Sequence, residues 1–203
     1  MLARLWRPLL ALGGILIVIG GPMHPGGTMA EMLADPAWIP SHSWVLAGFV
    51  ALTLALLGYW RAVAESPTMR RWAGLAFAGT LLQTIEMFFH LIAYLDLDHL
   101  VAGEPTPILT THLNLAVVAY PIFGVLTAGA IVAGVRTGEL GRWWFAPLGI
   151  LGALAHGIAP VLVVTFEIEA ARKLFPMVLL FAVWTLCVAL MPRRAGQAVP
   201  APV

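Results

Sequence analysis

The sequence predicts an all-α polytopic membrane protein, a six-span up-and-down helical bundle with both termini cytoplasmic. Three observations carry that prediction. Hydrophobic residues make up 61% of the 203-residue chain and charged residues 10%, with mean hydropathy +0.92, against roughly 45 to 50% apolar and 25% charged in a soluble domain. Six apolar runs fall at 5–21, 43–63, 72–94, 109–135, 143–166 and 174–190, each close to the roughly 20 residues that cross the hydrocarbon as a helix. The loops are asymmetric in charge: Arg4, Arg7, Arg61, Arg70, Arg71, Arg136, Arg142, Arg193 and Arg194 collect on one side, and only Arg172 and Lys173 on the other. The basic side is the cytoplasmic one by the positive-inside rule. Strands of a barrel would be about 10 residues long with alternating polarity, and no segment alternates in that way.

In chain order, the first run is short and follows Arg4 and Arg7, so a signal peptide is the competing reading. No small-x-small cleavage site follows Ile19, Gly20, Gly21 and Pro22, which favours an uncleaved span. The outer loop then runs through Pro22, His24, Pro25, Gly26 and Gly27 to Thr28 and Glu31, whose spacing is that of a capping box. A short surface helix ending at Pro36 is expected. The segment 96–107, acidic with Pro105 and Pro107, reads as a surface connection. Inner loops at 64–71 and 136–142 are brief and favour antiparallel neighbours. Trp6, Trp60, Trp72, Trp143 and Trp144 mark the inner interface, and Trp38 and Trp44 the outer one. Residues 1–194 form one transmembrane domain, and the tail 195–203, with Pro200 and Pro202, is expected to be disordered. The two sets of three spans show no repeat. The location expected is a plasma membrane of the bacterial inner-membrane type.

The third span carries the main functional signal. Gln83, Glu86, His90 and Tyr94 recur at intervals of three and four residues, which puts them on one helix face. An ionisable residue within the hydrocarbon costs roughly 2.5 to 3.5 kcal/mol on insertion scales, so this face points into the bundle and marks a candidate site. His42 begins the second span at the interface, His112 enters from the outer end of the fourth at the depth of His90, and His156 on the fifth lies near the level of Glu86. All four belong to the extracytoplasmic half. On the fifth span Gly149, Gly152, Ala153, His156 and Pro160 form a face of small residues, suited to close helix packing or to a flat macrocycle.

Imidazole is the commonest transition-metal ligand, and a nearby carboxylate orients it and neutralises charge. His42, His90, His112 and His156 are candidate ligands of non-covalent haem b, in an electron-transfer protein or membrane oxidoreductase. Glu86, His90, His112 and His156 would alternatively hold Zn, Cu, Fe or Mn, with Glu86, Gln83 and Tyr94 tuning the site or carrying a proton. A metal-ion or proton-linked transporter or sensor uses the same residues. A cofactor-free structural or assembly subunit is the third class, in which intramembrane histidines hydrogen-bond to groups such as Thr110, Thr111 and Asn114.

Elsewhere the expectations are plainer. His24 and His99, in outer loops, read as solvated. Met23, Met29 and Met32 beside His24 could bind Cu(I) through their thioethers, but the apolar face of the surface helix is the simpler reading. The lone Cys187 excludes an intramolecular disulfide and covalent c-type haem, and reads as packing. No His-Glu-x-x-His, Cys-x-x-Cys or phosphate-binding glycine loop occurs. With net charge +1, nothing points to nucleic acid. The partners expected are the lipid bilayer, and an electron-transfer partner or a second copy of the chain.

Overall fold

The computed structural model describes residues 1–63, 66–140 and 142–191. The tail at 195–203 lies outside the described residues, as do Arg193 and Arg194. The molecule is 86% helix, with no strand among the described residues, so each span satisfies its backbone hydrogen bonds internally, as a hydrocarbon solvent requires. Six stretches are long and apolar enough to cross a membrane: Leu2–Met23, Trp38–Ala62, Pro67–Ala102, Pro107–Thr137, Ala146–Thr165 and Glu169–Leu190. They overlap the six runs read from the sequence, with ends shifted by a few residues.

The helices are α1 (Leu2–Gly20), α2 (Met29–Ala34), α3 (Trp38–Ala62), α4 (Pro67–Ile92), α5 (Leu97–Ala102), α6 (Pro107–Thr137), α7 (Ala146–Pro160) and α8 (Val178–Leu190). The six long ones alternate in direction. Each packs on its neighbour in sequence, α1 on α3, α3 on α4, α4 on α6, α6 on α7 and α7 on α8, and α8 closes the ring on α1. This sequential ring supplies the lateral order that hydropathy alone leaves open. One end of the bundle carries His24, His42, His90 and His112 and is called the histidine end. The other carries Arg4, Arg7, Arg61, Arg70 and Arg136 and is called the arginine end.

Small residues set how closely the helices approach. A Cβ on Gly152 would meet the Phe181 backbone nitrogen and stand 2.9 Å from the Met177 carbonyl, and one on Gly124 would stand 2.7 Å from the Ala153 carbonyl. The small face of α7 is therefore spent on contact with α8 and α6. Between the helices a core of Phe49, Leu52, Met69, Phe123, Ile131 and Trp184 is almost wholly buried. Cys187 packs against it from the side. On the outside Ile15, Ile85, Phe88, Val125, Leu151 and Ile158 stay 45–59% exposed, an apolar exterior suited to lipid. After Pro160 the α7 helix passes into a π-helical turn, Val161–Thr165, because proline withholds an N–H and crowds the preceding turn. A 3-10 stretch, Glu169–Met177, then leads into α8.

The loops at the histidine end are more ordered than turn composition suggests. The capping box of α2 forms: the Thr28 backbone N–H donates to Glu31 Oε2 at 2.7 Å, and the Glu31 N–H donates to Thr28 Oγ1 at 3.4 Å. The Thr28 N–H, together with the Thr28 hydroxyl that donates to the same oxygen at 2.8 Å, holds the Glu31 carboxyl below its ordinary pKa. Met32 and Leu33 turn inward to pack with Trp38, Ala93 and Leu109, while Met29 is partly buried there and Met23 stays exposed. The apolar reading holds for Met29 and Met32, while Met23 lies before the surface helix and outside its apolar face. The connection 96–107 is more than a surface loop, since it contains α5 and a buried capping residue. Asp96 Oδ2 accepts from the Ile108 and Leu109 N–H groups at 2.7 and 2.9 Å. Pro107, first in α6, has no N–H to offer, so the carboxylate takes the next two free donors of the helix start. His99 pairs with Glu104 at 2.8 Å in the exposed part of the loop, in the solvated setting expected of it.

Candidate metal centre

The site begins with Glu86, fully buried on α4. Both of its oxygens accept hydrogen bonds: Gln83 Nε2 donates to Oε2 at 2.8 Å, and His112 Nδ1 donates to Oε1 at 2.6 Å from the adjacent helix α6. His90, one turn above Glu86, has its Nδ1 3.9 Å from Oε1, beyond hydrogen-bond range. That nitrogen is buried without a partner. The α4 face read from the sequence therefore points into the bundle and meets α6.

On α3, His42 Nδ1 lies 2.6 Å from the Trp38 carbonyl oxygen. A carbonyl only accepts, so Nδ1 carries the proton and Nε2 the lone pair. Nε2 is buried and has no partner. The same logic fixes His24, whose Nδ1 donates to the Pro25 carbonyl at 2.7 Å. Though His24 keeps the most exposure of the four rings, desolvation among its neighbours lowers its pKa below the ordinary imidazole value. Three imidazoles thus have one nitrogen tied to an oxygen, with the other left as a lone-pair donor. Oxygen partners that fix tautomer and ring direction in this way are what metal-bound histidines require.

The rings are gathered closely. Centroids stand 4.8 Å apart for His24 and His42, 4.4 Å for His42 and His90, and 4.0 Å for His90 and His112, the last pair stacked. Trp38 lies beside them, 4.0 Å from His42 and 5.3 Å from His90, and its Nε1 donates to the Leu91 carbonyl at 3.1 Å. Two groups have ligand atoms within 4.8 Å of one another: His24, His42 and His90, and Glu86, His90 and His112. Such a set can bind a metal ion by modest closure of its side chains.

Of the residues singled out in the sequence, His42, His90, His112, Glu86 and Gln83 come together. His42 is a turn inside α3 and buried, deeper than the interface position expected. Tyr94 lies beyond the end of α4 and packs with the apolar cluster of Trp38 and Leu109. His156 stands apart from both ligand groups, next to Tyr120 at 4.7 Å and among Phe49, Phe123 and Phe175, with neither ring nitrogen bonded.

Three residues near the site were not anticipated there. His24 had been read as solvated, but the chain after α1 folds back over α3, a long-range placement that periodicity does not encode. Trp38 had been read as an interface residue, yet it is 2% exposed. Its position four residues before His42 on one helix was the available signal. Tyr120, eight residues after His112 on the same face of α6, donates to Met87 Sδ at 3.6 Å beside Gln83 and Glu86. No protein-family model, curated protein or solved structure matches the chain.

Proposed function

We propose that the chain is a multi-pass membrane protein that holds a transition-metal ion in the His/Glu group at the histidine end of its bundle. The single observation carrying this reading is the convergence of prepared donors: the Nδ1 atoms of His24 and His42 donate to carbonyl oxygens, which leaves their Nε2 lone pairs available, and the unpartnered Nδ1 of His90 lies beside His112 Nδ1 and Glu86. A buried polar atom left unpaired costs about 1 to 3 kcal/mol, and coordination relieves that cost at His42 Nε2 and His90 Nδ1. Imidazoles with one carboxylate suit Cu, Zn or Fe better than Mn. The ion is read as resident and not in transit. Deeper on α3 and α6, Phe49 and Phe123 pack edge to face at 5.5 Å, both fully buried, which supports a resident ion over one that passes through.

Haem b with electron transfer is the other redox form of this proposal. Axial imidazoles lie on opposite faces of a macrocycle, whereas His42, His90 and His112 are in ring-to-ring contact, which favours a bare ion. The asymmetry of basic residues supports a cytoplasmic arginine end with both termini inside, and the histidine end facing out of a plasma membrane. Protein purified in detergent after growth with metal and haem supplements tests the reading by elemental analysis and absorption. At least one equivalent of a transition metal without a Soret band is expected. A Soret band with stoichiometric iron would put haem in its place, and a colourless, metal-free preparation would overturn metal binding altogether.

A further inference from the structure

Five donor side chains meet at the histidine end, more than one four-coordinate ion takes. Resting on the metal-binding reading above, we propose that the centre holds two ions, one among His24, His42 and His90 and one among His90, His112 and Glu86, with His90 bridging them.

The argument begins with distance. Ligand atoms on one ion, each about 2.0 to 2.1 Å from it, stand no more than about 4.2 Å from each other. The donors of this cluster fall into two trios, each within 4.8 Å internally, and His90 is the only member of both. It also lies physically between them, with its ring 4.4 Å from His42 on one side and 4.0 Å from His112 on the other. Its Nδ1 faces Glu86 Oε1 at 3.9 Å, too far for a hydrogen bond and without another partner. Coordination at Nδ1 by the ion of the Glu86 trio leaves Nε2 for the other.

His24 and His42 are prepared as single-nitrogen ligands, because their Nδ1 atoms are occupied by the Pro25 and Trp38 carbonyl oxygens, whereas His112 shares an ion with Glu86 through Nδ1, 2.6 Å from Oε1, with the ion taking the place of the proton, which moves to Nε2. Only His90 has a free Nδ1 among the four. A ring that coordinates through both nitrogens is an imidazolate, so its N–H proton leaves to external water as the second ion binds. The two positions differ in kind. The Glu86 trio is buried and includes a carboxylate, so it fills first. The His24 trio is neutral and includes the most exposed ligand, so its ion exchanges more readily.

The test is a Cu(II) titration of the full chain in detergent, read by elemental analysis and electron paramagnetic resonance. Two equivalents are expected. The first gives the signal of an isolated ion, and the second diminishes it, because a bridging imidazolate couples the two spins antiferromagnetically. His24→Ala should retain one equivalent at full isolated intensity. Saturation of the wild-type protein at one equivalent would overturn the second ion while leaving metal binding intact. Two equivalents whose signals simply add would overturn the bridge. Failure to bind copper or any other transition metal would remove both readings together.

Discussion

The two ends of the bundle both leave buried polar atoms without partners, yet only one of them resembles a binding centre. In the arginine half, Tyr59 Oη, Thr127 Oγ1 and Trp184 Nε1 are unpaired beside a cavity of about 30 Å³. An indole N–H only donates, and nothing there directs lone pairs toward a shared point. At the histidine end the unpaired atoms include His42 Nε2 and His90 Nδ1 besides Gln83 Oε1, and the Nδ1 atoms of His42 and His112 are held by oxygens on the same and the neighbouring helix. Missing partners therefore do not identify a site by themselves. Fixed tautomers, convergent rings and a carboxylate with both oxygens in use do.

The contrast breaks most sharply at His112. His112→Ala removes a ligand and the group that engages Glu86 Oε1, so metal affinity should fall by at least about 100-fold, beyond the roughly 10 to 100-fold typical of losing a group that only orients a ligand. Competition with a chelator of known affinity measures it. Affinity within about threefold of wild type would return the histidine end to the status of the arginine half.

Glu86→Gln sharpens the same point with less disruption. The amide preserves shape and can still meet His112 and Gln83, but it removes the negative charge. The amide oxygen can still ligate but carries no charge, and a weakening of about 10-fold is expected, the low end of the roughly 10 to 100-fold that partial changes at a metal site cost. The same chelator competition reads it, and a loss as large as that of His112→Ala would show that the negative charge, not the shape, is the main contribution of the buried carboxylate.

Gly152→Val acts on helix packing between α7 and α8, away from the ligand groups, and should reverse the pattern. Its side chain would press on the Phe181 backbone nitrogen and the Met177 carbonyl, and overpacking of that kind costs about 1 to 3 kcal/mol. Thermal unfolding in detergent should fall accordingly, while protein that remains folded keeps its metal affinity. A parallel loss of affinity would mean that packing of α7 on α8 shapes the centre after all.

What the sequence made legible follows from how each feature is encoded. Span number and the inward face of Gln83, Glu86 and His90 are local properties of hydropathy and helical period, and they emerged nearly intact. His112 was placed at the depth of His90 by counting residues from the span end, and the two rings do stack. His24 depends on a loop folding back across α3, which no period reports. Asp96 caps a helix that begins eleven residues later, a nonlocal bond hidden within an acidic, proline-containing connection. Tyr94 illustrates the reverse failure: a helical period was extended past residue 92, where α4 ends and the backbone tightens to a 3-10 turn. Tyr120, on the period of α6, was the better-placed hydroxyl.

His156 gives the smallest expected effect and the finest division between the two regions. Counting along the fifth span put it at the level of Glu86, among the candidate ligands. Its ring instead lies among Tyr120, Phe49, Phe123 and Phe175, with both nitrogens unbonded, on a helix face already committed to close packing. A buried unpaired polar group costs about 1 to 3 kcal/mol, and an apolar side chain of comparable size escapes that cost while giving up some of the flat ring's fit. His156→Leu should therefore leave metal stoichiometry unchanged and the thermal midpoint equal to wild type or slightly higher. Elemental analysis and a thermal melt on one preparation check both. Loss of an equivalent of metal from a variant that still melts cooperatively would bring His156 into the centre and extend the polar region a further turn into the bundle.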